Sequence, residues 1–266
     1  MVRIRSFKKK KVAITGGSSG IGFATARAFS DEGAEVIIIA RNQQNLEKAS
    51  KRAPGIVSAY PADISSIKDL RCLEKRIKED HEGIDILINS AGIVYPGTLM
   101  DLTIDQIERT LNIDLKGTMI TTKVLLPLIR SPGYIMNISS VAGFIGLFGY
   151  TAYSAAKFGV WGFSQALRME LEPRNIGVGV VFPPDTNTPQ LEFENRTKPH
   201  ELRGISKTIE PIPPARVATS IVKGIMKGEF MIFPDSSSRS AYHANRLMGA
   251  AVRGWMDKKV NSAGRK

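Results

Sequence analysis

Tyr153 and Lys157 stand four residues apart in a helical pattern, so both project from one helix face. A phenol, with a reference pKa of about 10, is a poor acid–base group at neutral pH. A neighbouring ammonium favours the phenolate and draws that pKa toward the working range. Ser140 closes an apolar run upstream, where its hydroxyl can hold a substrate oxygen. Together these three side chains suit proton exchange with an oxygen. A Tyr–Lys pair by itself is equally well a coincidence of a helix surface. Its place after the apolar run Tyr134–Ile138, downstream of a glycine-rich turn, gives it weight.

That turn is Thr15-Gly-Gly-Ser-Ser-Gly-Ile-Gly22, between the first apolar run and the first helical pattern. Gly16 permits the tight turn, Gly20 lets backbone approach a pyrophosphate, and Gly22 lets the helix pack close to the strand. Unpaired N–H groups at the helix start then meet the anion, Ser19 and Ile21 are counted with the same site, and the Ser18 hydroxyl can add a donor for a 2′-phosphate. The second apolar run ends Ile39-Ala40-Arg41, with no acid to accept from a ribose 2′-hydroxyl. Arg41 is placed to pair with a 2′-phosphate, which favours NADP(H) over NAD(H). A solvated surface arginine is the plainer alternative.

These residues need a frame. Val12–Ile14, Val36–Ala40, Ile56–Tyr60, Ile84–Ile88, Tyr134–Ile138 and Val178–Phe182 read as buried strands. Helical patterns fall near 20–32, 43–53, 66–80, 104–130 and 151–172. Continuous apolar strands alternating with helices predict an α/β fold, a single-domain Rossmann-type doubly wound parallel sheet with helices on both faces. Residues 183–214 hold seven of the fourteen prolines and show no convincing period, so they read as an irregular substrate loop. A helix over 215–227 and a last strand over 229–233 follow.

In combination these motifs resemble the short-chain dehydrogenase/reductase family from about residue 10 to 235. The matching segments are TGGSSGIG at 15–22, Asp63-Ile64, Asn89-Ser-Ala-Gly92, Ile138-Ser-Ser140 and Tyr153-Ser-Ala-Ala-Lys157. The resemblance implies Tyr153 as acid–base residue, Lys157 on the nicotinamide ribose and Ser140 on the carbonyl. It implies Asp63 and Ile64 at the adenine, with Asn89, Ala91 and Gly92 supporting the cofactor side. Pro183, Thr186 and Thr188 would meet the carboxamide. Tyr150 lacks a basic residue four positions on, so Tyr153 is preferred. One position departs from the family. Asp114, in Ile113-Asp-Leu-Lys-Gly117, stands where an Asn usually completes the catalytic set through its backbone carbonyl and a water. An Asp keeps that carbonyl and adds a charge beside Lys157, but it cannot donate an amide hydrogen bond.

The run Phe182-Pro-Pro-Asp-Thr-Asn-Thr-Pro189, with Glu194-Asn-Arg-Thr-Lys-Pro199 and then Glu201, is similar to the loops of 3-ketodihydrosphingosine reductases within that family. Asn187 and Gln190 depart from the group's pattern, and Pro184 replaces the wider family's glycine. The similarity implies NADPH-dependent reduction of a long-chain amino ketone. Asp185, Glu192 or Glu194 would attract its ammonium. Phe144, Leu147, Phe148, Leu191 and Phe193 would line an alkyl channel, unless they are simply packed. Other apolar carbonyls (steroid, retinoid or 3-oxoacyl) are the nearest rival substrates. An NADP-binding sensor with little turnover is a rival of another class, and attachment to membranes as the main role is a third. Family analogy implies a dimer or tetramer.

Of 37 Lys+Arg and 25 Asp+Glu, six basic residues and no acid fall in 1–11, and seven basic residues and one acid in 239–266. The interval 12–238 is therefore neutral, which argues against a nucleic-acid groove in the body. The ends read as a basic N-terminal arm and a basic amphipathic C-terminal segment. As a helix, 242–256 puts Ala244, Leu247, Met248, Ala251, Val252 and Trp255 on one side and Arg246 and Arg253 on the other. That pattern fits peripheral contact with an anionic membrane, or docking on the protein itself. The single cysteine, Cys72, excludes an internal disulfide or a cysteine-built zinc site, and no metal site is expected. Neither a signal-peptide pattern nor a spanning apolar run is found. The expectation is a cytoplasmic protein with peripheral contact at the membrane's cytoplasmic face.

Overall fold

The computed structural model describes residues 2–198 and 210–263. The apolar runs form β1 (Lys11–Thr15), β2 (Glu35–Ala40), β3 (Ile56–Pro61), β4 (Ile84–Asn89), β5 (Ile129–Ile138), β6 (Ile176–Val181) and β7 (Met231–Ile232). All pair in parallel, in the order β3-β2-β1-β4-β5-β6-β7. Helices lie between them: α1 (Gly20–Asp31), α2 (Gln43–Ser50), α3 (Ile67–His81), α4 (Ile104–Thr110), α5 (Thr118–Leu125) and α6 (Thr151–Leu171). After β6 come α7 (Pro189–Thr197), α8 (Pro214–Lys227) and α9 (Ser236–Ala263).

Successive strand residues point to opposite faces, so each strand feeds two cores. Val12, Ile14, Val36, Ile38, Ile86 and Ile88 pack with Phe29 of α1 and Ile221 of α8. Ala13, Ile37, Ile39 and Leu87 pack with Leu70 and Ile77 of α3, Leu125 of α5 and Leu167 of α6. Burial on both faces is the reason the strands carry no polar alternation. The chain order reverses between β1 and β4, and such a reversal opens a crevice at the strands' carboxyl ends.

Four sequence expectations are corrected. The helical stretch 104–130 is two α-helices joined by a π-helical turn, Leu111–Gly117, and ends in a 3₁₀ turn before β5 begins at Ile129. The loop 183–214 contains α7, whose start is fixed by the Thr188 side chain accepting from Leu191 N–H and by Pro189 in the first turn. The basic stretch 1–11 is no free arm. Ile4 and Phe7 are buried in the core, Phe7 edge-on to Phe29, and Lys10 Nζ pairs with Asp85 Oδ1 at 2.9 Å. The C-terminal helix is interrupted at Met248 (φ −130, ψ 34), which turns its second half away from the first. Leu247 and Trp255 therefore do not share one continuous stripe. Pro199 and Glu201 lie outside the described residues, as do the side chains of Lys259, Arg265 and Lys266.

Candidate active site

The crevice is a cleft of about 470 Å³. One wall is the glycine-rich turn. Gly16 adopts φ +68, and a Cβ there would lie 2.9 Å from Ala91 Cα. A Cβ on Gly22 would strike Gly16 O. Thr15 Oγ1 accepts from Ser90 N–H at 3.0 Å and Ala91 N–H at 3.2 Å, fastening this turn to the end of β4. Side chains cap α2, α3, α4 and α7, but Ser19 leaves the start of α1 uncapped, with no acid in its first turn. Open N–H groups and a helix dipole at a cradle kept clear of Cβ atoms fit a pyrophosphate. Arg41 is exposed on the same cleft, and Asp63 and Ile64 line it further along. Asp63 Oδ1 is already occupied by Ser65, which donates from both N–H and O–H. The residues present fit a phosphorylated dinucleotide, held by the turn, Arg41 and the 63–64 segment.

The cleft gathers Gly16, Ser18, Ser19, Gly20, Ile21, Gly22, Ala91, Gly92, Asp114, Ser140, Tyr153, Lys157, Pro183, Thr186 and Thr188. Asn89 is not among its lining residues. Its amide donates to Thr122 Oγ1 and Asn137 Oδ1, both at 2.9 Å, so it clamps β4 to α5 and β5 behind the wall. Of the expected channel residues, Leu147, Phe148 and Leu191 line the cleft. Phe144 is instead buried among Phe182, Phe233 and Tyr242, and Phe193 is partly exposed against Tyr95. Thr188 caps α7, and Thr186 Oγ1 donates to Pro184 O at 2.8 Å, so both hydroxyls also serve the loop.

At the cleft floor the Ser140 hydroxyl neighbours Tyr153 and favours its phenolate, while Ser140 Oγ accepts from Ala142 N–H at 3.1 Å. The Lys157 ammonium lies 5.4 Å from the Tyr153 ring centroid and donates to Ile138 O at 3.2 Å. The π-helical turn carries Asp114 inward, fully buried, with Oδ2 2.9 Å from Lys157 Nζ and Oδ1 accepting from Ile93 N–H at 2.8 Å. Its backbone carbonyl accepts from Thr118 Oγ1 at 2.9 Å. The carboxylate, rather than the carbonyl, is thus what meets the lysine. Burial first, and then the charges of Asp114 and Glu194, hold the Tyr153 pKa well above its ordinary value, against the Ser140 hydroxyl. Burial also pushes Asp114 up, opposed by Lys157 and the Ile93 amide. A phenol so placed is a proton donor at neutral pH. Tyr150 is not a rival for that role, because its hydroxyl donates to Glu194 Oε2 at 2.8 Å and its proton is held by burial and that carboxylate.

Several lining residues had no clear signal in sequence. Met256 reaches the cleft from α9, and Ile93 supplies the amide for Asp114. The Tyr150–Glu194 bond joins residues 44 positions apart. Asn42 lines the rim beside Arg41 and caps α2, a position its type and spacing do signal.

Residues 10–199 match the family model described as short chain dehydrogenase. The 3-ketodihydrosphingosine reductase of Bos taurus is 38% identical over 231 residues, covering 82% of this chain and 69% of the relative. The 3-ketodihydrosphingosine reductase of Dictyostelium discoideum is 34% identical over 251 residues, covering 86% of this chain and 75% of the relative. A short-chain dehydrogenase/reductase from Burkholderia phymatum, solved in complex with NAD, superposes with a TM-score of 0.81 at 19% identity, over 92% of this chain and 95% of that one.

Proposed function

The chain belongs to the short-chain dehydrogenase family, and on that footing we propose that it reduces 3-ketodihydrosphingosine to dihydrosphingosine with NADPH, a step of sphingolipid synthesis. The observation that carries the chemistry is the meeting of Ser140, Tyr153 and Lys157 in a cleft whose far end offers an open helix start and Arg41. The choice of ketone rests on the named relatives.

A reduced nicotinamide, when bound, supplies the hydride that the ketone carbon accepts. The protein handles the oxygen. Ser140 donates a hydrogen bond to the carbonyl and fixes its direction toward Tyr153. As the C=O π bond opens, the Tyr153 O–H passes its proton to that oxygen and the alcohol forms. The raised pKa keeps this proton in place across neutral pH. Lys157, anchored by Asp114 and Ile138 O, offers its ammonium to the ribose side of the cleft. Leu147, Phe148 and Leu191 give the alkyl chain an apolar wall.

This proposal includes the 12–238 reductase domain and the 183–214 substrate loop as its working parts. It also includes peripheral contact with an anionic membrane through α9. That contact is supported by Leu247 (81% exposed), Met248 and Trp255 beside Arg246 and Arg253, on the helix that also lends Met256 to the cleft. None of the described helices is long and apolar enough to cross a membrane. A dimer or tetramer is supported by exposed Ile104, Met119 and Phe158 on α4, α5 and α6. NADPH oxidation with 3-ketodihydrosphingosine, a steroid ketone, a retinal and a 3-oxoacyl thioester tests the reading. Preference for the sphingoid ketone supports it. Preference for another carbonyl removes the substrate, and NADPH binding without turnover on any ketone removes the enzyme.

A further inference from the structure

Three acidic residues near the cleft have different surroundings. Glu192 is exposed and is not among the residues that line the cleft. Asp185 lines the cleft but is partly exposed and lies 3.5 Å from Lys198 Nζ. Glu194 lines the cleft, is buried, and has Lys198 Nζ only at 4.0 Å, beyond hydrogen-bond reach and shared with Asp185. Its hydrogen-bond partners are neutral: Tyr150 O–H at 2.8 Å on Oε2 and Gln190 Nε2 at 3.5 Å on Oε1. Among the described residues, two carboxylates thus face one ammonium at this end of the cleft. The second carboxylate leaves room for a further cation there.

The catalytic floor is adjacent. The rings of Tyr150 and Tyr153 lie 6.0 Å apart, and Glu194 lines the same cleft as Tyr153. A cation bound at Glu194 would therefore belong to the same end of the substrate as the reacting carbonyl. An ammonium on the carbon next to the ketone meets that description, whereas an unsubstituted alkyl ketone leaves the carboxylate uncompensated.

We propose that Glu194, oriented by the Tyr150 hydroxyl, accepts the ammonium of an α-amino ketone and so selects amino ketones over ketones of equal length without the amine. This rests on the sphingoid reading and deepens it. Glu194 is a specificity residue: it touches the substrate's cation and leaves the proton transfer to Tyr153.

The test compares kcat/KM for 3-ketodihydrosphingosine with that for its desamino analogue, the same long-chain 1-hydroxy-3-ketone, in the full chain and in Glu194→Gln. The amide still accepts from Tyr150, so the pocket is kept while the charge is lost. The full chain should favour the amino ketone, and Glu194→Gln should lower that preference about 10- to 100-fold, the scale of a hydrogen bond to a charged group, mainly through KM of the amino ketone. Tyr150→Phe, which frees the carboxylate without removing it, should lower the preference by a smaller factor. Equal kcat/KM for the two ketones in the full chain overturns the inference but leaves the reductase reading standing. So does a preference unchanged in Glu194→Gln. Failure of the full chain to reduce either ketone overturns the functional reading itself.

Discussion

At the scale of single residues, Asp114 separates this chain from the usual pattern of its family. Its carboxylate neutralises the Lys157 ammonium at 2.9 Å, so the phenol beside it is tuned by burial and negative charge rather than by an unpaired cation. The sign of the consequence is definite. A proton donor fails when it deprotonates, so a raised Tyr153 pKa places the alkaline limb of ketone reduction at high pH. Asp114→Asn removes the second-largest cause of that rise, and the limb should move to lower pH in a kcat/KM profile. An unmoved limb would show that Asp114 does not act on the phenol. The residue types were legible in sequence, since Ser140, Tyr153 and Lys157 follow from spacing and motif. The direction of the tuning was not legible. It depends on whether side chain or backbone of residue 114 meets the lysine, and a π-helical turn decides that.

At the scale of elements, the proposed phosphate recognition falls to β1 with its turn and the end of β2. Gly22→Ala would drive a methyl into Gly16 O, so NADPH binding should be lost while the fold's far side is kept; titration of NADPH fluorescence reads this directly. Arg41→Ala should weaken NADPH about 10- to 100-fold and NADH far less, the scale of a hydrogen bond between charged groups. Equal losses would remove the argument for a 2′-phosphate. Strands were legible because burial on both faces writes them as unbroken apolar runs, as in Val36–Ile39. The helix over Pro189–Thr197 was obscured by the prolines around it, although Thr188-Pro189 is itself a start signal. The partner that buries Glu194 is Tyr150, and no local pattern announces a contact across that distance in the chain.

At the scale of the molecule, the charge partition acquires a direction. The N-terminal basic residues precede β1 and lie at the strands' amino ends, with Lys10 and Lys11 tied to Asp85 and His81. The cleft opens at the opposite, carboxyl ends. The C-terminal helix, which lends Met256 to the cleft, also carries basic Arg246 and Arg253 and exposed Leu247, Met248 and Trp255. Its first half is part of the fold, since Tyr242 packs on Phe144 and Phe233 and Asn245 donates to Phe144 O at 2.7 Å. Removal of everything from 239 onward would therefore damage the core, and point changes are the cleaner probe. Leu247→Glu with Trp255→Glu should cut binding to phosphatidylserine vesicles several-fold without loss of NADPH binding; unchanged vesicle binding would contradict an interfacial role for α9. The account as a whole stands on proton delivery by Tyr153 to a sphingoid ketone. Its most direct test is the amount of dihydrosphingosine formed per NADPH consumed, measured by mass spectrometry for the full chain and for Tyr153→Phe. One dihydrosphingosine per NADPH, and a rate reduced about 10²- to 10⁴-fold in Tyr153→Phe with NADPH still bound, is the predicted result. No dihydrosphingosine from the full chain, or an undiminished rate in Tyr153→Phe, would contradict it.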